Sequence, residues 1–196
     1  MKKAVRRIIL ILIIIAAALG AYVTYVFRAY YRLPDKLTLE VKRTGENNDF
    51  KENFKVNPGG AYFIMTYNIG FGAYQKDYSF FMDGGKSSWA KDEESLMAAV
   101  SGMGDIINTV KPDFVLLQEV DVDGTRSYHV DELELMNQFV RGYYYVYAQA
   151  YDSPFLFFPP LEPHGANKSG LVTYSREEIA GSMRRSLPIS ESFSKL

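Results

Sequence analysis

The sequence predicts an α/β domain behind a single transmembrane helix, and three observations carry that prediction. Ile8 to Phe27 is an uncharged run of twenty residues, about the ~20 that a helix needs to cross a bilayer. Two later apolar runs end abruptly in polar side chains: Tyr62-Phe63-Ile64-Met65-Thr66-Tyr67 leads into Asn68-Ile69-Gly70, and Phe114-Val115-Leu116-Leu117 leads into Gln118-Glu119-Val120-Asp121. Runs this short suit strands buried on both faces, with Lys111-Pro112-Asp113 as the entry turn of the second. Between them Leu96, Val100, Met103, Ile106, Ile107 and Val110 recur at helical spacing, with Asp92, Glu93 and Glu94 at the end where the helix dipole favours acids. Strand, helix, strand is the crossover unit of a parallel sheet.

The elements follow in chain order. Residues 1–7 are a basic N-terminus, with Lys2, Lys3, Arg6 and Arg7 ahead of the apolar run at 8–27. Arg28, Arg32 and Lys36 follow the run, so the charge difference across it favours a cytoplasmic N-terminus and an extracytoplasmic body. Two readings compete for this segment: an uncleaved anchor, or a signal peptide cut near Ala18-Leu19-Gly20. The anchor is preferred because apolarity continues to Phe27 and because Tyr22 and Tyr25 suit a membrane interface. Residues 28–60 read as a juxtamembrane linker with an edge strand at Leu37–Val41, a polar loop from Thr44 to Asn57, and a turn at Pro58-Gly59-Gly60.

Residues 61–196 read as the α/β domain, in its N-terminal part. After Asn68 the Gly-rich, aromatic segment Gly70 to Trp89 is long enough to rim a site. Gly85-Lys86-Ser87 inside it is not a phosphate loop, because Phe80 stands where that pattern needs glycine. Beyond Glu119 a polar loop runs from Asp121 to His129, and a helix is expected over Val130 to Val140. Asp121 and Asp123 are either water-bridged metal contacts or an ordinary Asp-x-Asp-Gly turn. Arg126 is either a phosphate clamp, since its planar fork matches phosphate oxygens, or the partner of Asp121 or Asp123. His129 is read as a helix-start residue. A strand is expected at Tyr143–Ala148, and another at Gly170–Tyr174 with a partner strand at Gly181–Leu187. Apolar Phe155 to Phe158 precedes two prolines and either packs under the domain or meets lipid; packing is the preferred reading.

If the two short strands are neighbours, the Asn68 amide and the Glu119 carboxylate enter one pocket, an all-oxygen pair suited to Mg²⁺ or Mn²⁺. Together Met65-Thr66-Tyr67-Asn68-Ile69-Gly70-Phe71-Gly72, the Pro112–Asp121 motif and Asn167-Lys168-Ser169-Gly170-Leu171-Val172-Thr173-Tyr174-Ser175-Arg176 resemble the endonuclease/exonuclease/phosphatase superfamily over roughly Ala61 to Leu187. That superfamily includes deoxyribonuclease-like nucleases, sphingomyelinases and inositol-phosphate phosphatases. The resemblance implies a layered α/β sandwich, seen here in its N-terminal part. It also implies catalytic, metal-positioning roles for Asn68 and Glu119, and substrate contacts near His164 and Asn167, to which Arg126 is added from its own chemistry.

The implied function is divalent-metal-dependent hydrolysis of a phosphoester by a membrane-anchored chain. Residues 1–36 hold seven basic side chains against one acid, and the totals of 22 and 23 leave fifteen basic and twenty-two acidic residues for the remainder. A body this acidic favours lipid, nucleotide or inositol-phosphate substrates over duplex nucleic acid, and no protein partner is implied. With no cysteine, thiolate metal sites are excluded. The family's later Asp-x-Asn and Asp-His motifs do not occur among these 196 residues, so the chain is expected to be an incomplete domain and catalytically silent by itself. The alternative is a non-catalytic, membrane-anchored binding or structural protein that keeps the fold.

Overall fold

The computed structural model describes residues 2–45 and 54–188. Most of the polar loop expected over Thr44–Asn57, and residues 189–196 of the expected domain, lie outside the described residues. Helix α1 spans Lys2–Ala29. Within it Lys3–Ala29 has a mean hydropathy of 2.6 and none of its most apolar window is buried, so the chain carries one N-terminal apolar helix of membrane-spanning length.

The body is built on a mixed five-stranded sheet. Strands β1 (Leu37–Thr38), β2 (Lys42–Arg43), β3 (Ile64–Asn68), β4 (Phe114–Gly124), β5 (Tyr144–Asp152), β6 (Asn167–Ser175) and β7 (Met183–Arg184) alternate with helices α2 (Glu93–Val110) and α3 (Glu132–Phe139). The sheet order is β2-β5-β6-β4-β3, with β3 parallel to β4 and the other pairs antiparallel. The parallel pair joined by α2 is the crossover unit that the hydrophobic pattern predicts. Helix α2 starts where Asp92 accepts a hydrogen bond from the Ser95 backbone N–H, and it stops at Lys111, which adopts left-handed backbone. Both devices satisfy or terminate the groups that a helix end leaves unpaired.

Several expectations are corrected by the packing. Helices α2 and α3 cover only one face of the sheet, where Leu96, Val100, Ile107 and Met136 meet Val115, Leu117, Val120 and Val172. Neither short strand is therefore buried on both faces: Leu116 is 39% exposed, and Ile64, on the edge strand β3, is 57% exposed. Ile106 and Val110 also turn outward on α2. The expected Gly181–Leu187 strand pairs with β1 as a separate two-stranded sheet rather than with β6. That pairing uses the Leu37–Val41 segment, whose continuation at Lys42–Arg43 edges the main sheet beside β5. Helix α3 begins at Glu132, capped by Asp131, two residues later than expected.

The segment from Phe155 to Leu161 overturns the packing preference. Phe157 and Phe158 are 59% and 65% exposed, and Leu161 is fully exposed. The reason lies in the backbone, because Leu156 and Gly165 exchange hydrogen bonds (3.0 and 3.1 Å) that hold the loop out from the body.

Candidate active site

Asn68 and Glu119 meet as the pattern requires. Parallel pairing sets Asn68 opposite Gln118, and the Asn68 amide N–H₂ donates to Glu119 Oε1 at 2.8 Å. The amide is itself oriented, since its oxygen accepts from the Gly70 N–H at 2.9 Å. Both side chains are exposed, so they are open to a ligand.

The backbone that presents Glu119 was not foreseen. Strand β4 does not end there but continues to Gly124, and the register with β6 shifts between Leu117 and Val120. Glu119 occupies that bulge with φ +56°. A glutamate gains nothing locally from left-handed backbone, which costs on the order of 1–3 kcal/mol and collects at functional positions. Facing it across the β3 end, Gly70, Phe71 and Gly72 have φ of 54°, 43° and 64°. Gly72 is required there, because a Cβ would lie 2.9 Å from Leu96 Cγ. The reversal buries the Phe71 ring completely.

Behind the pair lies a buried polar scaffold. Asp121 is fully buried and accepts from Arg126 Nε at 2.9 Å, Arg126 Nη2 at 2.8 Å and Ser127 Oγ at 3.1 Å. Of the two readings for Arg126, the structure realises the ion pair with Asp121, and the guanidinium also stacks 4.0 Å from the Phe71 ring centre. Burial works against the Arg126 charge, but Asp121 outweighs it and raises the arginine above its ordinary value. Asp121 and Asp123 form neither a turn nor a shared contact set. They continue β4, and exposed Asp123 pairs instead with His129 Nδ1 at 2.7 Å and, at 3.8 Å, with Lys168.

Asn167 is buried and joins three segments. Its side-chain oxygen accepts from the Arg126 N–H at 3.1 Å, its amide donates to the His164 carbonyl at 3.0 Å, and its backbone exchanges hydrogen bonds with Ser153. His164 is buried between Phe80 and Phe81, at 5.9 and 5.6 Å between ring centres, and its Nδ1 has no hydrogen-bond partner among the described residues. Burial, helped by Arg126, lowers its pKa and keeps the ring neutral. The structure thus brings Asn68 and Glu119 together directly, with Arg126, Asn167 and His164 joined through the adjoining scaffold. The Gly70–Trp89 rim borders a cleft of about 490 Å³ whose lining includes Lys76, Tyr78, Trp89, Lys91 and Glu162 but none of Asn68, Glu119, Arg126, Asn167 and His164. The lining residues carry no spacing signal in the sequence.

Glu132 is the scaffold group that sequence reasoning passed over. It sits fully buried on α3 and accepts from the Asp121 N–H through Oε2 at 2.8 Å, while Oε1 has no partner among the described residues. Burial, reinforced by Asp121, raises its pKa well above the ordinary carboxylate value. A folded-state pKa raised above the unfolded one contributes stability that is fully present below the unfolded value and is lost as pH rises through the folded one. Glu132→Gln keeps an acceptor for the Asp121 N–H and removes the titration. Thermal unfolding followed from pH 4 to pH 8 should show the wild type losing stability relative to Glu132→Gln as pH rises; parallel curves would refute this assignment.

Comparison with known proteins places these residues in context. The family model described as Endonuclease/Exonuclease/phosphatase family matches residues 65–192. Nothing matches the chain among curated proteins or among solved structures. The matched span begins three residues before Asn68 and contains every candidate site residue.

Proposed function

The chain belongs to the endonuclease/exonuclease/phosphatase family, and on that premise we propose that it serves as a membrane-anchored, divalent-metal-dependent phosphoester (phosphodiester) hydrolase whose metal is held at Glu119, with Asn68 orienting that carboxylate. The observation that carries the reading is the exposed Asn68–Glu119 hydrogen bond at a left-handed bulge. Family members typically use divalent metals. Among the described residues no three His, Cys, Asp or Glu side chains cluster as a metal cage. One exposed carboxylate with an oriented amide fits Mg²⁺ or Mn²⁺ nonetheless, because Mg²⁺ keeps several waters and takes one or two carboxylates plus substrate phosphates.

When bound, such a metal neutralises charge developing on the phosphoryl oxygens and polarises water. The chain's own residues prepare that site. Asn68 fixes the Glu119 carboxylate, and the Gly70 N–H fixes Asn68. Arg126, tied to Asp121, is part of the neutral buried scaffold and is not an open phosphate clamp. His164, buried between Phe80 and Phe81, supports the Asn167 cluster from inside the body. The α1 helix holds the body at a bilayer, which favours lipid or other small phosphodiesters over duplex nucleic acid.

Mn²⁺ binding to the detergent-solubilised chain, read by electron paramagnetic resonance, tests the reading. Asn68→Ala removes the group that orients the ligand, a change that typically weakens metal affinity about 10–100-fold. Unchanged Mn²⁺ affinity would overturn the site. Retained Mn²⁺ binding without phosphodiester turnover in the full-length protein would favour the non-catalytic alternative.

A further inference from the structure

The loop from Phe155 to Leu161 is uncharged throughout, reading Phe-Leu-Phe-Phe-Pro-Pro-Leu. Its base is closed by the Leu156–Gly165 bridge and by the His164 N–H donating to the Phe158 carbonyl at 3.1 Å. Its far leg is fastened to the rim, where the Ser88 N–H donates to Glu162 Oε2 at 2.8 Å and Trp89 Nε1 donates to the Pro163 carbonyl at 2.7 Å. Glu162, the acid that follows the loop, has its carboxylate drawn toward Ser88, and the frame displays Phe157, Phe158 and Leu161 outward without a charge among them.

The same loop touches α1. The Phe155 N–H donates to Tyr25 Oη at 3.1 Å, the Phe157 N–H donates to Tyr22 Oη at 3.2 Å, and the Tyr22 and Phe157 rings meet edge to face at 5.2 Å. Tyr22 and Tyr25 belong to the uncharged run that ends at Phe27. At 1.5 Å per helical residue they lie about 7–8 Å and about 4 Å or less inside that end. The loop backbone is thus fixed at the depth where interfacial apolar elements settle, about 5–10 Å into the boundary between headgroups and acyl chains.

We propose that the loop from Phe155 to Leu161 is a membrane-docking element that inserts Phe157, Phe158 and Leu161 into the lipid interface beside α1. The occupant of this surface is the bilayer, because the surface is continuous with the helix that crosses it. The inference rests on the reading of α1 as a membrane span. Its consequence for the site is orientation: Phe158 contacts Phe81 at 5.8 Å, Phe81 contacts His164 at 5.6 Å, and Phe80 contacts Phe71 at 5.8 Å, so an aromatic path joins the inserted loop to the floor behind Glu119. The rim then stands at headgroup level, where the phosphoester of a lipid is found.

The full chain, reconstituted in phosphatidylcholine vesicles with brominated acyl chains, provides the test. Trp89 is the single native tryptophan, so in a Trp89→Phe background Leu161→Trp and Phe157→Trp each place a lone reporter on the loop, and Val23→Trp places one on α1. Leu161 is fully exposed, so its replacement removes no packing. Both loop reporters should lose most of their emission to bromine, as Val23→Trp does, while wild-type Trp89 keeps most of its own. Quenching at Val23→Trp with none at Leu161→Trp or Phe157→Trp would overturn the docking proposal and leave the membrane span standing. Absence of quenching at all three positions would overturn both. Efficient disulfide cross-linking of Leu161→Cys between copies, without lipid quenching, would assign the surface to self-association and equally defeat the proposal.

Discussion

Glu119→Gln should lower metal-dependent turnover of the full-length protein by about a hundred- to a thousandfold, the equivalent of several kcal/mol of charge stabilisation. The substitution keeps an oxygen for the Asn68 amide and changes no core volume, so circular dichroism and melting should match the wild type. Glu119→Gly sharpens the argument. Glycine adopts φ +56° without penalty, so the bulge relaxes and the fold should gain on the order of 1 kcal/mol while metal binding disappears. A protein that spends stability to hold one carboxylate in place behaves this way; near-wild-type turnover in Glu119→Gln, or a destabilised Glu119→Gly, would remove the case for a site at the bulge.

Arg126→Ala should destabilise the folded body by about 3–5 kcal/mol, because it leaves the fully buried Asp121 carboxylate without its charge partner. The loss has a second part, since the guanidinium also covers the Phe71 ring at 4.0 Å. The double substitution Asp121→Asn with Arg126→Met removes both charges, retains a partner for Ser127 Oγ and keeps a long side chain over Phe71, so much of the loss should return. Chemical denaturation of the three chains measures the difference directly. If Arg126→Ala costs less than about 1 kcal/mol, the value expected of an exposed pair, the scaffold assignment falls.

What the sequence made legible was the part governed by local pattern. Asn68 and Glu119 stood out because each closes a run of apolar residues, and α2 because its apolar positions repeat at helical spacing behind the Asp92 cap. The bulge at Glu119 was invisible, since no residue type announces it: a glycine there would have, but a glutamate conceals the left-handed backbone. The two-sided burial of the short strands failed because runs such as Val115-Leu116-Leu117 look the same whether one face or both are covered. Arg126 remained ambiguous because carboxylate and phosphate each offer a pair of oxygens that the guanidinium fork can bridge, and only the depth of Asp121 decides between them. Phe155 to Phe158 misled for a similar reason: hydrophobicity signals removal from water without saying whether protein or lipid removes it.

Asn167 has a consequence for motion. One buried amide grips the chain at Arg126 and His164, and its backbone grips Ser153. Arg126 lies far from the other two in sequence yet cannot drift independently of them, so slow hydrogen exchange at the Arg126 and Asn167 amides should decay together under denaturant, as a single cooperative unit. The rim is fastened to the same segments, because the Ser88 N–H donates to Glu162 and Trp89 Nε1 donates to the Pro163 carbonyl. The end of the rim at Ser88 and Trp89 therefore moves with the Asn167 cluster, and the rest of the loop from Gly70 is freer to open and close over the cleft.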